Sequence, residues 1–215
     1  MSINTDSEQK AARVMNEDYN NTVTGWVHES IAATLDDLAS CVAKYHEVNP
    51  QRFEEGPNSQ PFVIADFGCA TGASSIVPLR ALIQAVRKIA PSLTIQIYLE
   101  DLPENRFDIA FQAVSKGLEE FDNLFIMAAG KDFTVQVFPS GTIDIAFSSL
   151  TAMILPQAPA PLHDNVFFLA TPELVKTDFG QKWIEGFKKH WAAFLGSRQK
   201  ELRKHGLLFV TTIIN

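Results

Sequence analysis

A chain of 215 residues, 46% apolar and 20% charged, has the length and composition of one globular domain with a sizeable core. Its net charge of −7 speaks against a polyanionic partner, because a nucleic-acid footprint needs a basic face. Two cysteines, Cys41 and Cys69, are too few for a disulfide framework. The amino terminus is polar rather than signal-like and no apolar run reaches membrane-spanning length, so a soluble, cytoplasmic protein is expected.

Residues 1–23 read as a polar leader carrying one aromatic, Tyr19, followed by Asn20. From Thr24 the pattern turns helical: Val27, Ile31, Leu35, Leu38, Val42 and Tyr45 recur every three or four residues. Residues 49–61 hold Asn-Pro and Gly-Pro pairs and read as a surface loop. The run Phe62-Val63-Ile64-Ala65, apolar and ending in the acid of Asp66-Phe67, then has the character of a strand buried on both faces. It passes through Gly68-Cys69-Ala70-Thr71-Gly72 into a helical pattern that Ser74 or Ser75 can cap. Gly68 and Gly72 are expected to let backbone approach a ligand that a Cβ would block. Asp66, at the strand's carboxyl end, belongs in the crevice where open α/β sheets hold ligands.

The spacing Asp-x-Gly-x-x-x-Gly lacks the third glycine of a dinucleotide fingerprint, and no Lys-Ser or Lys-Thr follows to make a P-loop. It resembles the first motif of Rossmann-like methyltransferases, which bind S-adenosylmethionine. Ile76, Leu79, Ile83, Val86 and Ile89 form the buried stripe of the following helix, which Pro91 stops. A second strand, Thr94–Leu99, runs into Glu100-Asp101-Leu102-Pro103. An acid there is placed to accept from ribose hydroxyls, and alternation sends one of the two inward and the other outward. Pro103 suits the first turn of a helix with Phe107, Phe111, Val114 and Leu118 on one face.

A third strand, Leu124–Ala129, leads to Gly130-Lys131-Asp132-Phe133, where an exposed ring could stack on a purine and the Asp accept from its amine. The plain alternative is that Phe133 covers the sheet. Ile143–Phe147 is a fourth strand, ending at Ser148-Ser149 on the crevice side. Four prolines within residues 150–175 suggest a pocket wall or lid. Thr177 or Asp178 caps a long helix whose stripe of Phe179, Trp183, Phe187, Trp191, Leu195 and Leu202 reads as core. Lys204-His205-Gly206 should end it, before a fifth strand from Leu207 to Ile214. The five histidines share no metal spacing, so no metal site is expected.

Four blocks together resemble the plant-type SABATH family of salicylate, benzoate and theobromine methyltransferases. They are Ile64–Gly72, Glu100–Phe107, Phe138-Pro139-Ser140 with Phe147-Ser148-Ser149, and Phe194-Leu195-x-x-Arg198-x-x-Glu201-Leu202. The resemblance implies an α/β, Rossmann-like class I methyltransferase sheet with helices on both faces. About five parallel strands are present, and the last two of the usual seven are missing. It divides the chain into a leader or cofactor lid, 1–23, and a cofactor-binding domain, 24–215, lacking most of the helical cap. It implies S-adenosylmethionine contacts at Tyr19, Asn20, Asp66, Asp101, Leu102, Asp132 and Phe133, with Asp101 the ribose acid; the strand-end reading adds Gly68, Gly72 and Ser148. No catalytic base is implied, because a carboxylate acceptor is already ionised.

The substrate side departs from the family pattern. Trp26 falls near the family's carboxylate-clamping Gln, while Phe147, Leu150 and Ile154 stand where the family has His, Tyr and Trp. With Met153 these would line a more apolar acceptor pocket. The expected activity is methyl transfer to the carboxylate of a small organic acid. The alternatives are an S-adenosylmethionine-binding protein without turnover and, less favoured, an NAD-dependent oxidoreductase. The bare fifth-strand edge calls for a second copy of the chain or a missing C-terminal segment to cover it.

Overall fold

The computed structural model describes residues 29–161 and 171–212. Five strands form one sheet: β1 (Phe62–Phe67), β2 (Ile95–Asp101), β3 (Leu124–Gly130), β4 (Ile143–Ser149) and β5 (Leu202–Thr211). All neighbours are parallel, in the order β3-β2-β1-β4-β5. The chain therefore winds outward from β1 in one direction and then returns to β4 to wind in the other. That leaves a topological switch point between the carboxyl ends of β1 and β4.

Every residue of β1 is buried, Asp66 included, as expected for a central strand with a mainly apolar run. Alternate side chains feed two cores. Phe62 and Ile64 join Ile95, Ile97 and Leu99 under helices α1 (Leu35–Val48), α2 (Ile76–Ile89) and α3 (Phe107–Gly117). Val63, Ala65 and Phe67 face Phe133, Phe138 and Phe194, the last on helix α4 (Asp178–Glu201). At the amino end of the sheet a polar anchor ties the layers. The buried Asp144 carboxylate accepts from Tyr45 Oη (2.6 Å), from Arg52 Nε and Nη2 (2.7 Å each) and from the Val63 amide (2.8 Å).

Several sequence expectations shift. The first helical pattern is interrupted: residues 29–32 are helical, Ala33 and Thr34 turn, and α1 begins at Leu35. Val27 lies outside the described residues. Pro103 is not in a helix, since α3 starts only at Phe107 and residues 103–105 form a turn. Ser75 occupies the N-cap position of α2 without making a side-chain capping bond, whereas Thr177 does cap α4, accepting from the Gly180 amide at 3.1 Å. Helix α4 stops at Glu201 rather than at Gly206. The amides of Gly141 and Thr142 take the carbonyls of Lys200 and Glu201, so the helix's orphan acceptors are met by the turn before β4. Strand β5 starts at once, and the register jump from Ile143↔Leu202 to Ile145↔Leu207 bulges out residues 203–206.

Candidate functional site

The turn after β1 carries three residues in the left-handed region, Gly68 (φ 83°), Ala70 (φ 48°) and Gly72 (φ 78°). It is fixed from the neighbouring strand. The Glu100 carbonyl accepts from the amides of Gly68 and Cys69, both at 2.9 Å. Asp101 accepts from Ala70 N–H through Oδ2 and from Leu102 N–H through Oδ1, each at 2.7 Å. Asn105 Nδ2 donates to the Ala70 carbonyl at 2.8 Å, holding a non-glycine residue in its strained conformation. Ser148, buried, donates to the Phe67 carbonyl at 2.9 Å and so joins β4 to β1 across the switch point.

Both glycines correct the expectation placed on them. A Cβ on Gly68 would lie 2.2 Å from Thr151 Cγ2, and one on Gly72 would lie 2.9 Å from Val114 Cγ2 and 3.0 Å from the Ala110 carbonyl. The space a side chain would fill is taken by the protein itself. Gly72 lets α3 pack closely, and Gly68 admits Thr151, whose hydroxyl donates to the Gly68 carbonyl at 3.2 Å.

Acid accumulates at this end of the sheet. Asp66 is 2% exposed, and burial pushes its carboxyl up to about 7, against the lowering effect of the Ser75 hydroxyl and with a smaller push from Asp101. Among the described residues no cation relieves it. Glu100 is fully buried; its Oε2 accepts from Gly68 N–H at 3.2 Å, while its Oε1 has no partner among the described residues. Burial, then the neighbouring Asp101, raises its pKa well above the usual carboxylate range. Burial likewise keeps the Cys69 thiol protonated.

The remaining predicted site residues divide. Leu102 is half-buried beside the β1 turn. Asp132 Oδ1 accepts from the amide (2.8 Å) and hydroxyl (2.7 Å) of Thr134, closing a local turn. Phe133 is not exposed: at 7% it packs edge-on against Phe194 and His190, with centroids 5.5 and 5.9 Å away. Phe147 is also withdrawn from its expected pocket. Its side chain faces the α1–α3 core, because strand alternation points it away from the loop that follows. Leu150, Met153 and Ile154 stay half-buried in that loop, which docks on α4 where the Ala152 carbonyl meets His190 Nε2 at 2.7 Å. Tyr19, Asn20 and Trp26 lie outside the described residues. A recess of about 310 Å³ bordered by Arg52, Gln60 and Arg203 lies at the opposite end of the sheet, its arginines turned onto Asp144.

Residues 44–215 match the family model described as SAM dependent carboxyl methyltransferase. The chain belongs to that family. Among curated methyltransferase relatives it is 25% identical over 202 residues to a probable S-adenosylmethionine-dependent methyltransferase of Arabidopsis thaliana, covering 85% of this chain and 55% of the relative. It is also 25% identical over 156 residues to salicylate carboxymethyltransferase of Clarkia breweri, covering 70% and 44%. A solved structure of loganic acid methyltransferase with SAH shares the fold, with TM-score 0.69, 21% identity, 86% of this chain and 53% of that one. The chain thus spans about half the length of the curated carboxyl methyltransferases it matches.

In this family member, three parts of the site escaped sequence reasoning. Glu100, not Asp101, is the fully buried acid of its pair; Thr151 packs onto Gly68; and the charged pair Arg198–Glu201 lies inside the core face of α4. The signal for the last was available: two opposite charges three residues apart, both in register with Phe194.

Proposed function

We propose that this chain forms the cofactor-holding half of a methyltransferase that transfers the methyl group of S-adenosylmethionine to the carboxylate of a small organic acid. The observation that carries the reading is Asp66: a buried acid at the switch point, with no cation to offset it among the described residues, is suited to a cationic ligand. A sulfonium, or the ammonium of the same molecule, would supply that charge. At the purine end the fit is partial. In this reading Asp132 and the 102 region would border the purine, whereas the Phe133 ring is already committed to the core.

Bound S-adenosylmethionine brings an electrophilic methyl whose bond to sulfur breaks as a bond to the acceptor oxygen forms, the sulfur keeping the electron pair. The chain's own residues hold and orient. Asp66 favours the positively charged donor over the neutral thioether product. Asp101 and Asn105 fix the β1 turn, and the Asp101-Leu102 corner is the proposed ribose edge. The half-buried, apolar Leu150, Met153 and Ile154 would keep water from the acceptor. Because a carboxylate acceptor is ionised at neutral pH, catalysis rests on alignment and needs no base from the protein.

Calorimetry with S-adenosylmethionine, its demethylated product SAH and NAD tests the cofactor. Binding of the first two and not NAD is expected; NAD binding alone overturns the reading. Tritium transfer from labelled methyl donor to a panel of small acids tests the reaction. Binding without transfer to any acid would leave a cofactor-binding protein.

A further inference from the structure

Strands β3 and β4 are joined without a helix. Residues 131–142 cross the α4 face as irregular chain, so their backbone polar groups need partners from elsewhere. The interior of α4 supplies them. Arg198, 1% exposed, donates from Nη1 to the Phe133 carbonyl (2.9 Å) and from Nη2 to the Val135 carbonyl (3.3 Å). Glu201, fully buried, accepts through Oε1 from the amides of Val137 and Phe138, the latter at 3.1 Å. The two side chains hold each other in a fork, Nε to Oε2 at 2.8 Å and Nη2 to Oε1 at 3.0 Å.

The same guanidinium reaches the other strands. Its carbon lies 3.8 Å over the ring centre of Phe67, the last residue of β1. Its charge acts on Glu100 of β2, whose carboxylate accepts from the Gly68 amide. One cation therefore addresses the ends of β1 and β2 and the turn after β3. As a stabilising device alone this is a poor choice, since a buried ion pair can often be replaced by apolar side chains of equal volume without loss. What it offers is direction: a rigid planar fork sets the height and angle of whatever it binds.

We propose that Arg198, locked by Glu201, is a positioning residue for the nucleoside end of the site, holding the Asp132–Val135 turn over the β1 end so that Asp132 meets the amino edge of a purine. The inference rests on the cofactor reading above.

The test uses the full chain and two ligands, SAH and S-inosylhomocysteine, in which a carbonyl replaces the purine's amino group. Arg198→Lys keeps the charge but loses the fork. It should weaken SAH about tenfold and S-inosylhomocysteine much less, so the preference between them shrinks. Arg52→Lys, at the far end of the sheet, should lower the melting temperature and leave both affinities as they were. A purely structural role for Arg198 would move its melting temperature without moving the preference, and that result overturns the inference. If Arg198→Lys does not fold, Glu201→Gln decides by the same criterion; if neither folds, the pair serves folding and the inference fails. Should the unaltered chain bind neither ligand, the cofactor reading itself falls.

Discussion

A carboxyl group buried without a cation must be offset by something the folded chain gains, and Asp66 shows the cost through its titration. Its pKa rises from an ordinary 3.8 to about 7 on folding, so the native state binds the proton more tightly than the unfolded chain does. The stability this residue contributes is fully present below about pH 4 and is lost as pH rises towards 7, beyond which the penalty is constant. Asp66→Asn should therefore match the parent near pH 4 and exceed it by roughly 3–5 kcal/mol at pH 8, at about 1.4 kcal/mol per pKa unit. Urea unfolding at pH 4, 6 and 8 measures this, and a parallel stability curve for the two proteins would remove the assignment. The same variant should lose affinity for S-adenosylmethionine, because the group that burdens the fold is the one that welcomes a cation.

At the scale of elements, the two polar clusters do different things. The Asp144 cluster pins α1, Arg52 and the start of β1 to β4 at the amino end. Asp144→Ala leaves the Arg52 guanidinium and the Tyr45 hydroxyl without their acceptor and should cost about 3–5 kcal/mol in denaturant unfolding. Cofactor affinity, measured well below the lowered melting temperature, should not change, since the crevice lies at the other end of the strands. The Arg198–Glu201 cluster instead takes over where a crossover helix is absent. Its position explains why the buried face of α4 runs through Trp183, His190, Phe194, Ser197, Arg198 and Glu201, while Leu195, in the expected stripe, is 46% exposed. Hydrophobic periodicity alone points to the wrong side of the last two turns, because the residues that face inward there are charged.

For the whole molecule, the sheet is closed on neither side: among the described residues β3 and β5 each pair along one edge only. β3 also leaves Phe125 (54%) and Met127 (41%) open on its face. Apolar side chains beside an unpaired edge favour contact between chains. Phe125→Lys should raise the concentration at which light scattering climbs and change unfolding stability by no more than about 0.5 kcal/mol. If scattering is unchanged while stability is preserved, association runs through β5 or does not occur.

Much of this architecture was legible in the one-dimensional string. The burial of Phe62–Phe67 follows from its apolar run, Asp66 apart, and the strand–helix alternation points to a parallel, doubly wound sheet. Asp66 and Ser148 were identifiable as strand-end residues because period and position need no long-range information. What only the folded chain could decide was competition for the same space. Whether the room above Gly68 belongs to a ligand or to Thr151, whether Phe133 faces a purine or Phe194, and which of Glu100 and Asp101 turns inward are settled by residues 30 to 80 positions away. Local propensity does not register such distant neighbours, and a buried charge such as Arg198 makes sense only once the carbonyls it serves have been brought beside it.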